Sequence, residues 1–257
     1  MRRQGFTLLE VLVSLVIIAI LGAVFLRIFL STVDASENVN ARNELLHEAQ
    51  VAEQIMASRV QQAWYVYPPG TNIKMNSGLT TKNALAGSSH WIVGGGPNHP
   101  FLALVLPPND LTKSCASDPQ GCYRFYAYYA FPRSHYRTAV GPGSTNQLPA
   151  DPRNDGTWVL MEFRAHLSGF VPNASCTNIP VPSGGLGGSG RLLVEYVQPQ
   201  TDAPPYTLFS VNPDFSLDIR LRMRKKTQQR DVRVPPPADP PLTLRAVPRN
   251  LGVGCGP

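Results

Sequence analysis

The sequence predicts an α+β fold in which one long N-terminal helix packs on a mostly antiparallel β-sheet head. Three observations support this. No proline precedes Pro68 in a chain with 25 prolines, so nothing in the first quarter removes a backbone donor or blocks a helical turn. The start of that quarter is strongly apolar, and the chain after Pro68 reads as short strands between turns. A length of 257 residues suits one globular domain.

The apolar run at residues 6–30 (FTLLEVLVSLVIIAILGAVFLRIFL) predicts a transmembrane helix. It exceeds the roughly 20 helical residues that cross a bilayer. The preceding residues 1–5 are basic, and positive residues tend to stay on the cytoplasmic side. The sequence therefore predicts a single pass, with the N-terminus in the cytoplasm and everything after about Ser31 outside.

A secretory signal peptide also begins with basic residues followed by apolar ones. Two features argue against it here. The apolar run is longer than the roughly 7 to 15 residues of a signal core, and no small-residue cleavage site follows it. Glu10 also lies near the start of the run, where a carboxylate is costly in lipid and usually marks a specific partner.

Residues 31–66 continue the helix as an amphipathic segment. Apolar residues recur at spacings of three and four between polar ones, which predicts one buried face; they are Leu45, Leu46, Ala49, Ala52, Ile55, Met56 and Ala63. A helix from about Leu8 to Gln62 is roughly 80 Å long.

Residues 67–257 predict a β-rich globular head. Candidate strands lie at residues 90–93, 101–106, 122–131, 157–166, 191–198, 206–211 and 216–224. In residues 216–224 (SLDIRLRMR) apolar and charged side chains alternate, so one face is expected on the helix and the other in water. The glycine-rich stretches 94–96 and 183–190 are expected to be loops.

Four cysteines follow the apolar run: Cys115, Cys122, Cys176 and Cys255. Four cysteines permit three pairings. Cys115 and Cys122 enclose a short loop whose Asp118-Pro119 and Gly121 suit a tight turn, which favours this pair and leaves Cys176 for Cys255. A zinc site is the alternative, but neither CxxC nor HxxxH spacing occurs. Disulfides imply an oxidising compartment.

Residues 3–12 (RQGFTLLEVL) resemble the class III signal of type IV prepilins. The resemblance implies that a prepilin peptidase cuts after Gly5 and methylates the new N-terminal Phe6, which makes residues 1–5 a leader peptide. Glu10 is then the fifth mature residue. In a packed helical bundle it can pair with the amine of Phe6 in a neighbouring subunit and set the register of assembly, because an unpaired buried carboxylate is costly. An ordinary membrane anchor with an incidental glutamate is the alternative.

The resemblance also implies the lollipop shape of pilins. Residues 216–224 and 242–250 are similar to the C-terminal region of PilW-like minor pilins and of type II secretion minor pseudopilins of the GspJ kind. This implies a minor pilin that initiates or caps a type IV pilus, with twitching motility, adhesion or DNA uptake as consequences. The implied partners are other minor and major pilins, the inner-membrane assembly platform and membrane lipid, with the head periplasmic or extracellular. A minor pseudopilin of a type II secretion system is the alternative.

A DNA-binding pilin of a transformation pilus is a further alternative. The basic residues that could attract phosphates are Arg220, Arg222, Arg224, Lys225 and Lys226. Residues 123–137 mix aromatic and basic side chains that could stack on bases. A solvated strand face and a core strand are the respective alternatives. No hydrolase motif or metal spacing occurs, so no catalytic residue, metal or cofactor is predicted.

Overall fold

The computed structural model describes residues 8–76, 78–171, 178–228 and 230–251. Helix α1 spans Leu8–Gln62, as predicted. Its 55 residues give a length of roughly 80 Å. The chain therefore has the predicted α+β architecture, with a long helix and an antiparallel β head.

Helix α1 consists of two halves with different surroundings. In the first, residues 8–40, nearly all large apolar side chains are exposed. We call this segment the projecting half. From Ala41 onward one face is buried at spacings of three and four, as the amphipathic pattern predicts; its members are Ala41, Leu45, Ala49, Ala52, Met56 and Val60.

The head contains short and long strands, all in antiparallel pairs. Within the described residues they are β1 (Tyr65–Val66), β2 (Asn72–Ile73), β3 (Trp91–Ile92), β4 (Phe101–Leu106), β5 (Tyr123–Pro132), β6 (Trp158–Leu167), β7 (Gly188–Val197), β8 (Phe209–Val211), β9 (Leu217–Leu221), β10 (Met223–Lys226), β11 (Asp231–Val234) and β12 (Leu242–Ala246). A seven-stranded sheet has the order β1-β4-β5-β6-β7-β10-β11. Smaller sheets have the orders β12-β9-β8 and β2-β3.

The strand predicted at residues 216–224 is two strands in different sheets. β9 belongs to the three-stranded sheet and β10 to the seven-stranded one. Arg222 lies between them, and its carbonyl oxygen accepts a hydrogen bond from the backbone N–H of Gln198. The predicted alternation survives the change of sheet, because Leu217, Ile219, Leu221 and Met223 are all buried in the core that α1 covers.

The sequence did not predict helix α2, Arg133–Val140. β5 ends at Pro132, and Gly141 caps the helix with a φ of +74°, donating its N–H to the carbonyl oxygen of Arg137. A positive φ is one that glycine adopts without steric cost. The basic residues at the end of the aromatic stretch are therefore helical.

The glycine-rich stretch 183–190 was expected to be a loop, which is wrong from Gly188 onward. β7 begins there and pairs with β6. A Cβ on Gly188 would overlap the carbonyl oxygen of Arg164, and one on Gly190 would lie 2.5 Å from Tyr129 Oη. Glycine is needed in this part of β7 because the neighbouring strand leaves no room for a side chain.

The seven-stranded sheet is buried on both faces, which gives the head two apolar clusters. On one face, α1 and the three-stranded sheet cover residues such as Tyr128 and Leu160. On the other, Trp91, Phe125 and Phe163 pack beneath β2, β3 and the loops. The head thus has a core of its own, and α1 completes one side of it.

We expect Val60→Ala to destabilise the protein by about 2 kcal/mol, since it leaves a cavity between α1 and the sheet. Val60 is 0% exposed and Val51, on the same helix, is 39% exposed. Val51→Ala is the matched control, with an expected effect within about 0.5 kcal/mol. Denaturant unfolding of the full chain in a nonionic detergent measures both. Equal losses of stability would contradict the packing of α1 described here.

Candidate functional site

The projecting half of α1 is a long apolar surface outside the head. Its exposed side chains include Leu8, Leu12, Leu15, Ile18, Leu21, Phe25 and Phe29. It contains a stretch whose length and composition would allow it to cross a membrane, and no residue of that stretch is buried in the head. Contiguous exposed apolar surfaces of this size mark contact with a membrane or another protein. This half of α1 is the candidate site for assembly.

Glu10 lies in the first turn of α1. Four residues further on, Ser14 Oγ donates a hydrogen bond of 2.8 Å to the carbonyl oxygen of Glu10. A carboxylate near a helix N-terminus interacts favourably with the helix dipole. Gly5 and Phe6 lie outside the described residues, so cleavage and methylation there remain predictions, as does the role of Glu10.

The predicted disulfide between Cys115 and Cys122 is confirmed, with a Cα–Cα distance of 4.4 Å. These two cysteines are therefore not zinc ligands. Within the loop they close, Asp118 caps a short turn by accepting from the N–H of Gln120, and Lys113 Nζ lies 2.6 Å from Asp118 Oδ2. Cys176 and Cys255 lie outside the described residues, and their pairing stays a prediction.

A groove forms where the projecting half of α1 meets the head. We call it the junction groove; its charged lining residues are Glu37, Glu44, Asp151, Arg153, Lys225 and Lys226. Lys225 Nζ lies 2.7 Å from Glu44 Oε2 and 4.7 Å from the centre of the Tyr196 ring. This ion pair ties α1 to β10. The sequence shows that Glu44 and Lys225 are charged. It does not show that they form an ion pair, because they are distant in the chain.

Glu48, one turn after Glu44, has an unusual environment. The pKa of its carboxyl is raised to about 7, first by burial and then by the nearby carboxylates of Glu44 and Glu195, against the opposing effects of Lys225 and of a backbone hydrogen bond from Glu195. Its Oε2 atom is buried and has no hydrogen-bond partner among the described residues. Such a carboxyl is costly to ionise in the folded protein.

The five basic residues predicted to bind DNA do not form one surface. Arg222 is only 4% exposed and donates to the carbonyl oxygen of Asp239. Arg220 pairs with Asp218, and Arg224 pairs with both Asp202 and Asp231. Lys225 pairs with Glu44, and Lys226 lines the junction groove. DNA binding through these residues stays a prediction, although much of their charge is already balanced within the chain.

The aromatic side chains of residues 123–137 are mostly in the core. Phe125, Tyr129 and Phe131 are fully buried, so their ring faces are not available to bases. Arg133 is also fully buried, and its guanidinium lies 3.1 Å from both Asp155 Oδ1 and Glu195 Oε2. Residues 123–132 therefore form a core strand, which is the alternative interpretation given above. An ion-pair cluster around the buried Arg133 follows it.

Comparison with known proteins agrees with the N-terminal signal. Residues 1–26 match the family described as prokaryotic N-terminal methylation motif. Over 61 residues the chain is 38% identical to "Pilin-like protein PilA3" of Thermus thermophilus, a stretch that is 24% of this chain and 26% of that protein. The match thus spans about a quarter of the relative's length. No solved structure matches the chain.

We expect the stability of the folded chain to decrease as the pH rises from about 4.5 to about 7, through Glu48. Its folded pKa is about 7 against an ordinary value of 4.5. The contribution is therefore complete below pH 4.5 and is lost as the carboxyl ionises towards pH 7. Melting temperatures of the wild type and of Glu48→Gln, recorded across this range in nonionic detergent, measure it.

The Glu48→Gln variant should melt above the wild type at pH 7 and close to it at pH 4.5. Glu37→Gln, on the same helix, controls for the general loss of a carboxylate. A difference between wild type and Glu48→Gln that does not change with pH would contradict this assignment.

Proposed function

Because the chain is type IV pilin-like and carries a prepilin-type N-terminal methylation motif, we propose that it is a minor pilin that initiates or caps a type IV pilus. A prepilin peptidase cuts after Gly5 and methylates Phe6. The mature subunit is held in the inner membrane with its head on the outer side. The assembly platform then moves it into a filament with other minor and major pilins.

The observation that carries this proposal is the exposed projecting half of α1. The head buries one face of α1 only from Ala41 onward, so the exposed apolar side chains of residues 8–30 need another environment. A bilayer supplies it before assembly, and the helices of neighbouring subunits supply it afterwards, since both remove the apolar side chains from water. The same surface therefore serves both stages.

Glu10 gives the assembly its register. In a bundle of apolar helices, one carboxylate has few partners, and the methylated amine of Phe6 in the adjacent subunit is the best placed. Leaving either charge unpaired in that bundle costs several kcal/mol. A subunit displaced along the filament axis cannot form the pair, so its assembly is less favourable. The pairing acts on specificity rather than on the strength of association.

The two segments that resemble minor pilins support the minor role. In the three-stranded sheet, β9 and β12 lie side by side, with Ile219 opposite Leu244. Both contribute to the core beneath α1. Most of the resemblance thus falls on two paired strands, β9 and β12, next to the helix, which in an assembled filament is close to the neighbouring subunits.

Processing at Gly5 is tested by the intact mass and N-terminal sequence of membrane-extracted protein from its own host. We expect a chain that starts at methylated Phe6. Both Gly5→Leu and a strain without prepilin peptidase should leave the leader in place, because the peptidase must fit the residue before the cut. A wild-type chain that begins at Met1, or that is cut after the apolar run, would refute the proposed processing.

Glu10→Gln should allow processing. It should reduce the amount of the protein in sheared filament fractions at least tenfold, since the neutral side chain cannot form an ion pair with the amine. Quantitative immunoblots of membrane and filament fractions measure this, with Glu37→Gln as the control on the same helix. Chemical cross-linking, followed by identification of the subunits bound to this protein, distinguishes a type IV pilus from a type II secretion system. Normal incorporation of Glu10→Gln would rule out the register role.

A further inference from the structure

On the side of the head next to the last turn of α1, three arginines from three elements meet around one tyrosine. Arg59 extends from α1, Arg124 from β5 and Arg164 from β6. The guanidinium carbons of Arg59 and Arg164 lie 5.3 and 5.5 Å from the centre of the Tyr126 ring. We call this concave site the arginine pocket. Its volume of about 370 Å³ is at the lower end of the range of small-molecule sites.

The arrangement follows from strand register. Tyr126 is paired with Arg164 across β5 and β6, and Arg124 is paired with His166. Paired residues point to the same face of a sheet, here the face that α1 covers. Tyr126 is buried, so its ring forms the floor of the pocket and the guanidinium groups form its walls.

The positive charge in the arginine pocket is poorly balanced. Of the three arginines, Arg164 has a carboxylate partner, the buried Glu162. Arg124 donates from Nε and Nη2 to the carbonyl oxygen of Pro107, and Arg59 donates to the side chain of Gln62. Neither has an ion-pair partner among the described residues. Three cations and one carboxylate leave a net charge of +2.

Holding these cations together costs free energy. Burial lowers the pKa of the Arg124 guanidinium, and the neighbouring charges of Arg59 and Arg164 act in the same direction, against the opposing effect of Tyr126. An arginine stays charged in proteins regardless. A bound anion would relieve this repulsion, and the partial burial of the walls would strengthen its attraction.

We propose that the arginine pocket binds a phosphate group. A guanidinium presents a rigid fork of donors that matches the oxygens of a carboxylate or a phosphate. One fork satisfies a planar carboxylate. Three forks from different directions suit a tetrahedral anion, and the net charge of +2 is opposite in sign to that of inorganic phosphate or a phosphate ester near neutral pH.

Two sources could supply the phosphate: free inorganic phosphate, or the backbone of a nucleic acid strand. Lipid headgroups are a poor fit, because Arg59 lies 29 residues beyond the end of the predicted transmembrane helix at residue 30, or roughly 43 Å along α1. This last step rests on the proposed membrane orientation, whereas the phosphate pocket itself does not.

The test is calorimetric titration of the full chain in nonionic detergent, at low ionic strength and pH 7.5, with inorganic phosphate. We expect one site per chain with a Kd at or below about 1 mM, and at least tenfold weaker binding in both Arg59→Gln and Arg124→Gln. Arg245→Gln is the matched control, since Arg245 is 59% exposed, lies outside the pocket and pairs with Asp214; its binding should equal that of the wild type.

Melting temperatures without phosphate show whether each variant is folded. Arg59→Gln is the safer variant, because it removes one side-chain hydrogen bond to Gln62, whereas Arg124→Gln removes two hydrogen bonds to the carbonyl oxygen of Pro107. Acetate at the same concentrations should bind at least tenfold more weakly than phosphate. The proposal is overturned if the wild type does not bind phosphate, if acetate binds equally well, or if folded Arg59→Gln and Arg124→Gln bind like the wild type.

A single-stranded oligothymidylate then distinguishes the two sources. If it binds, if phosphate displaces it and if Arg59→Gln weakens it, the pocket takes a phosphodiester of a nucleic acid. If phosphate binds and the oligonucleotide does not compete, the pocket takes the free anion. Either result supports the phosphate site. A wild-type chain that is processed normally at Gly5 but does not bind phosphate would refute this inference and leave the proposed function intact.

Discussion

The structure depends on one packing contact: the second half of α1 lies on the seven-stranded sheet along a stripe that is narrow and made partly of alanine. Ala49 and Ala52 are fully buried between Leu45 and Met56, and small side chains let a helix approach closely. This contact orients the whole helix. Because α1 continues without a proline, its anchored end holds the projecting half, residues 8–40 and about 50 Å long, in a defined direction.

The charges along α1 follow from the same contact. Where the helix meets the head, Glu44 binds Lys225, and the half-buried Glu48 lies near the carboxylates of Glu44 and Glu195. Near its C-terminal end, Arg59 joins two arginines of the sheet above Tyr126. A long helix laid across a sheet brings its polar flanks against side chains from distant strands. These contacts occur where the apolar stripe ends, because only there can charged groups reach water.

Much of the fold could be predicted from the sequence, because its periodicities are local. Helix α1 ends at Gln62 as predicted, and the strand at residues 101–106 was also located correctly. The predictions failed where the structure depends on long-range strand pairing or on long-range ion pairs. Nothing local shows that the chain changes sheets at Arg222, since the alternation of apolar and charged residues runs through it. Likewise Arg133 looks like a surface cation in sequence, yet it is buried between Asp155 and Glu195.

By itself, the sequence determined the apolar N-terminal helix, the position of Glu10 near its start and the signal around Gly5. Each of these can be read from a few dozen consecutive residues. It also indicated the Cys115–Cys122 disulfide, which closes a short loop. The tertiary structure decided which charged groups meet: Lys225 with Glu44, and Arg59 with Arg124 and Arg164. Those partners are far apart in the chain, and strand register together with the placement of α1 brings them within reach. Local patterns carry the proposed signal for anchoring and assembly, whereas long-range packing creates the pockets of the head.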